Sequence, residues 1–147
     1  MSEFIYKNNI PDTLEGDVVV VGGGPAGLCA AVAAARGGAK VILVEKNAFC
    51  GGMATAGMVA PFMTCYDSGG NKMLIRGIFE ELVERLIAVG GAIHPSKVES
   101  KTAFTSYIDK GHVHVTPFKA EALKIVADEM LTEAGVKILY HTQLVDA

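Results

Sequence analysis

Gly22, Gly24 and Gly27 stand at GxGxxG spacing, directly after the apolar run Val18 to Val21 and directly before an alanine-rich stretch. Glycine at the first position permits a tight turn. At the second it lets a pyrophosphate approach the main chain, and at the third it lets a helix lie close to the preceding strand. An anion admitted there faces a helix N-terminus, where unpaired N–H groups and the dipole favour negative charge. Glu45 follows 18 residues after Gly27, at the end of a second apolar run. A carboxylate in that place accepts hydrogen bonds from a ribose diol and repels a 2′-phosphate, which disfavours NADP. A glycine-rich loop beside a structural acid is the competing reading. The register of strand, glycines, helix and acid weighs against it.

A second glycine group, Gly51-Gly52 with Thr55 and Gly57, lies in the charge-free run from Asn47 to Tyr66. An irregular segment without charges is expected to be buried, and its small residues would let a flat ligand approach the backbone. A loop crossing the core is the alternative. Other reactive residues carry less. His112-x-His114 would put two imidazoles on one face of a strand, but no third metal ligand is near in sequence, and no metal site is assigned. His94 and His141 read as structural or solvated. Cys50 beside the glycine pair could be a redox or cofactor-tethering thiol; with no base or second thiol beside it, packing is the expectation. Cys29 reads as a small helix residue, and Cys65 stays undecided. Met53, Met58 and Met63 read as core filler, and Arg76 as part of a solvated helix face. No catalytic residue can be named.

Elements that would position these groups follow from patterning. Residues 17–21 and 40–45 are short apolar runs rich in β-branched residues, the mark of strands buried on both faces of a parallel sheet. Pro25 to Arg36 reads as a helix with Pro in its first turn and Gly37-Gly38 as its stop. Residues 74–89 repeat apolar positions at helical period, and Glu81 and Arg85 form a favourable i,i+4 pair. The stretch 92–115 is mixed, with a β excursion as the expectation. A helix is expected from Thr116-Pro117 to Ala134 and a third strand over 136–141. The order β-α-β-insert-α-β predicts a doubly wound, Rossmann-like parallel α/β sheet, with a leader over 1–16 and an insert around 59–116.

Composition bounds the function. The 147 residues suit one domain, and half are apolar, which excludes intrinsic disorder. A formal net charge of −3 leaves no basic footprint for general nucleic-acid binding. The 3 cysteines form no CxxC and no disulfide framework, which fits a reducing cytoplasm. The charge-free runs Val18 to Ala35 and Asn47 to Tyr66 are interrupted by Gly22 to Pro25 and by Gly51, Gly52, Gly57 and Pro61, so neither reads as a membrane span. The acidic N-terminus is wrong for a secretory signal.

VVVVGGGPAGLCAAVAAA, VILVEKNAFCGG and MATAG together resemble the N-terminal part of FAD-dependent oxidoreductases with the glutathione-reductase-type flavin fold. The likeness is greatest to a broad prokaryotic group that includes heterodisulfide-reductase-like flavoproteins. IRGIFEELVERL and PFKAEALKIVADEMLTEAGVKILYHTQLVDA resemble the same group. The resemblance implies bound FAD, with Gly22, Gly24, Pro25, Ala26 and Gly27 along its pyrophosphate. It implies Glu45 and Lys46 beside the adenosine ribose, and Gly51, Gly52 and Thr55 towards the ribityl-flavin half. Leu144 would give a backbone contact to adenine. It further implies hydride or electron transfer with a small-molecule substrate or electron-transfer partner. Members continue beyond the third strand with a β-meander, a further flavin-contacting strand and a substrate domain. The chain is thus expected to be the N-terminal part, with the first strand left as an open apolar edge and a homo-oligomer or completing chain as its partner. Two alternatives stand: an NAD-binding protein like thiazole synthase, and a non-catalytic dinucleotide-binding module completed by another chain.

Overall fold

A computed structural model describes residues 14–67, 71–98 and 114–146. Strands β1 (Val18–Val21), β2 (Val41–Val44) and β3 (Lys137–Leu139) form a parallel sheet in the order β1-β2-β3. Val20 pairs with Leu43, and Leu43 with Ile138. Helix α1 (Pro25–Arg36) connects β1 to β2; α2 (Ile78–Ala88) and α3 (Ala120–Glu133) lie between β2 and β3. Pro25 presets the backbone for the first turn of α1, and alanines fill its body at little entropic cost.

One core lies on the helix side of the sheet. Val41 and Leu43 meet Leu28 and Val32 of α1, Leu86 of α2, and Val126, Met130 and Leu131 of α3, with Val20 and Ile138 packed against them. Strand residues alternate faces, so Val19 and Val21 point the other way. They are 55% and 52% exposed, so β1 is not buried on both faces as its composition alone predicts, and it is instead the open apolar edge expected of an N-terminal part. Among the described residues nothing covers that side of β1, which is also the sheet edge.

Element boundaries differ from the sequence pattern where tertiary contacts intervene. The helix expected from 74 begins at Ile78, because Gly77 adopts φ +68° and the N–H groups of Leu74 and Ile75 both bond to the Cys65 carbonyl. The helix expected from Thr116 begins at Ala120, because Thr116 and Phe118 make antiparallel bridges with Phe62 and Ala92. These bridges hold a ring cluster, Phe118 stacked on Phe62 at 4.1 Å and Phe79 edge-on at 5.6 Å. The third strand is shorter than expected, and His141 turns out of it at φ +51°. No described helix is long and apolar enough to cross a membrane.

Candidate functional site

Past the C-terminal ends of β1 and β2, the two glycine loops face each other. Gly22 takes φ +95°, which turns the chain sharply out of β1. Gly24 is the N-cap of α1, and no side chain caps that helix. Ala26 and Gly27, after Pro25, therefore present first-turn N–H groups without an intrahelical acceptor. A Cβ on Gly27 would lie 1.8 Å from the Gly22 carbonyl oxygen, so only glycine lets α1 approach β1 this closely. Opposite, Gly52 opens a 3-10 turn, Gly52–Ala54, and a Cβ on it would sit 2.7 Å from the Gly24 Cα. The loops are tied together where the Gly51 N–H donates to the Gly23 carbonyl at 2.7 Å.

Between them runs a cleft of about 620 Å³, lined by Gly22, Gly24, Pro25, Ala26, Gly27, Lys46, Asn47, Gly52, Met53 and Gly57 among others. A smaller lobe of about 240 Å³ adjoins it, sharing Gly22, Lys46, Asn47 and Gly52 and adding Glu45, Thr142, Gln143 and Leu144. The fold thus gathers nine of the expected contacts, Gly22, Gly24, Pro25, Ala26, Gly27, Glu45, Lys46, Gly52 and Leu144, around one continuous cavity. Gly51 and Thr55 stand behind its wall. Both are buried, and the Thr55 hydroxyl donates to the Cys50 carbonyl at 2.9 Å, which fixes the loop rather than facing the cleft.

Glu45 is 4% exposed and organises the loops. Its Oε2 accepts from the Gly23 N–H at 2.7 Å, and its Oε1 accepts from the backbone N–H and Nδ2 of Asn47, each at 2.8 Å. Beneath this, Cys50 is fully buried, and burial pushes its thiol up to about 11. The packing expectation for Cys50 agrees with that inert environment. The Tyr140 hydroxyl donates to Asp128 Oδ1 and lies 3.5 Å from Cys50 Sγ, so a polar chain runs from the loop to α3. Burial, and then the bond to Asp128, raise the Tyr140 hydroxyl above its ordinary value.

Two residues that hold the loops carry no mark in the glycine spacing. Gly23 has both its N–H and its carbonyl committed, and a Cβ there would meet Cys50 Sγ at 2.6 Å. Asn47 is visible only through its bonds to Glu45. The methionine expectation is corrected: Met53, Met58 and Met63 are 63%, 84% and 53% exposed. The charge-free run is correspondingly buried only in part, with residues 56–60 all exposed, because the segment leaves the core after Thr55. Arg76 lies ahead of α2 and pairs with Glu80 at 2.8 Å. His114 stacks on Tyr66 at 4.4 Å, while His112 lies outside the described residues. No group of three His, Cys, Asp or Glu side chains among the described residues could hold a metal.

The profile of one protein family, described as FAD dependent oxidoreductase, matches residues 17–147. The chain belongs to the FAD dependent oxidoreductase family. Thiamine thiazole synthase of Aeropyrum pernix is similar at 31% identity over 96% of this chain and 42% of its own length. Thiamine thiazole synthase of Methanococcus aeolicus is similar at 34% over 85% of this chain and 44% of its own. The mitochondrial dihydrolipoyl dehydrogenase of Caenorhabditis elegans shares 48% identity over 48 residues, 33% of this chain and 10% of its own. Among solved structures, THI4 of Thermovibrio ammonificans matches at TM-score 0.48 and 19% identity, covering 85% of this chain and 38% of that one. The chain spans less than half the length of these relatives.

Proposed function

We propose that this chain is the FAD-binding part of a flavin-dependent oxidoreductase acting on a small-molecule substrate in the cytoplasm. The observation that carries this is the uncapped N-terminus of α1, open to a cleft walled by two glycine loops and ending at a buried acid. The residues fit a dinucleotide. Ala26 and Gly27 would donate N–H groups to the pyrophosphate, aided by the helix dipole. Glu45 would accept from the adenosine ribose, with Lys46 beside it and Leu144 at the adenine end. Gly52 leaves room for the ribityl side, and Gly51 and Thr55 hold its loop. Bound flavin would supply the hydride or electron transfer. The chain's own part is to bind and orient it. Residues 17–147 form this binding part, with 1–16 as a leader and the stretch around 59–116 as an insert.

A second reading has NAD in the same cleft, as in a protein like thiazole synthase. Two relatives that carry that name align over most of the chain. A third, a non-catalytic module completed by another chain or a second copy, is favoured by the open edge of β1.

Substitution at Glu45 tests the assignment. Glu45→Arg removes the ribose acceptor and is expected to weaken FAD binding at least about tenfold, followed by quenching of flavin fluorescence on titration. Unchanged affinity would show that Glu45 serves only the loops, and NAD binding tighter than FAD would favour the second reading.

A further inference from the structure

Asn47 borders both lobes of the cleft, at the point where they join. A carboxylate offers about four lone-pair sites, two on each oxygen. Both sites on Glu45 Oε1 are taken by Asn47, through its backbone N–H and its Nδ2. One site on Oε2 is taken by the Gly23 N–H. The buried acid therefore keeps a single acceptor site, whereas a ribose diol brings two hydroxyls. Lys46, its exposed neighbour, has donors only. Asn47 Oδ1 has no hydrogen-bond partner among the described residues, and the bond from Nδ2 to Glu45 fixes the plane of the amide.

We propose that Asn47 is a second ribose-recognition residue. Glu45 Oε2 takes one hydroxyl and Asn47 Oδ1 takes the other, so two side chains read the diol instead of one bidentate carboxylate. The bond from Nδ2 adds to the two backbone N–H groups that hold the Glu45 carboxylate, so one residue both supports the acid and contacts the ligand. This inference rests on the adenine-dinucleotide reading of the cleft.

A chemical double-mutant cycle on the full chain tests it. The ligands are FAD and two analogues lacking either the 2′- or the 3′-hydroxyl of the adenosine ribose. The proteins are the unmodified chain and Asn47→Ala. Each deoxy analogue is expected to bind the unmodified chain about three- to tenfold more weakly than FAD. Asn47→Ala should abolish the penalty for one hydroxyl and keep it for the other, because the N–H groups of Gly23 and Asn47 still hold the carboxylate. If Asn47→Ala keeps both penalties, the carboxylate is bidentate and the proposal is overturned. Circular dichroism checks that each variant folds; should Asn47→Ala not fold, Asn47→Ser carries the same comparison. An unmodified chain that binds none of the three ligands removes the dinucleotide reading itself, which is distinct from binding all with penalties that ignore Asn47.

Discussion

Gly24 and Gly27 show one residue type answering two demands. A Cβ on Gly24 would meet only the Gly52 Cα, at 3.8 Å, so the protein itself tolerates a side chain there. A Cβ on Gly27 would collide with the Gly22 carbonyl. Gly24→Val is therefore expected to leave the thermal unfolding midpoint nearly unchanged while abolishing FAD binding. Gly27→Ala should lower the midpoint whether or not cofactor is present. A Gly24→Val protein that still holds flavin would sink the loop assignment. The glycine spacing and the acid were legible in sequence because each has a local backbone reason. Gly23 and Asn47 were not. Their roles depend on the Cys50 sulfur and on a carboxylate rotamer, both set by packing between segments some 22 residues apart.

The three α-helices among the described residues are joined by one ion-pair network. Arg36 of α1 forms a bidentate pair with Glu81 of α2 at 2.6 and 2.8 Å. Arg85 bonds back to Glu81 and reaches Glu133 of α3 at 2.6 and 2.9 Å. The bonds from Arg36, ahead of those from Arg85, hold the Glu81 carboxyl down at about 2, against an ordinary 4.5. A lowered folded-state value means the stabilisation is complete above about 4.5 and is lost as pH falls towards about 2. Glu81→Gln is expected to cost about 1 kcal/mol at neutral pH, partly screened by salt, and to flatten the loss of stability between pH 5 and pH 2. Equal acid sensitivity in both proteins, measured by denaturant unfolding across that range, would show that the network contributes nothing. The Glu81–Arg85 pair was readable from i,i+4 spacing. Arg36 and Glu133 were not, since helical period places a residue on a face and does not say which helix it meets. The early start assigned to α2 fails for a related reason: Leu74 and Ile75 continue the apolar pattern, but the left-handed Gly77 and the Cys65 carbonyl take the backbone elsewhere.

Across the whole molecule, strand-helix-strand order and parallel pairing are legible in the sequence. The four valines of β1 read by composition as a strand covered on both faces, whereas the resemblance implies an open edge, and Val19 and Val21 do stand open at the sheet edge. Apolar composition reports what a strand requires, and only the rest of the assembly decides whether it is met. Unpaired edge groups beside exposed valines promote association. Val19→Lys is accordingly expected to raise the monomer fraction in size-exclusion chromatography with light scattering, without changing FAD affinity, because Val19 does not line the cleft. An unchanged oligomer distribution would show that the edge is not an association surface. The chain covers 42% of the length of its Aeropyrum relative. The proposed function turns on the identity of the cofactor. The most direct test is the visible absorption spectrum of the purified chain, followed by denaturation and chromatography of the released ligand. Absorbance near the flavin bands with release of FAD is the expected result. Release of NAD, or a folded chain that stays colourless when FAD is supplied, would contradict the account.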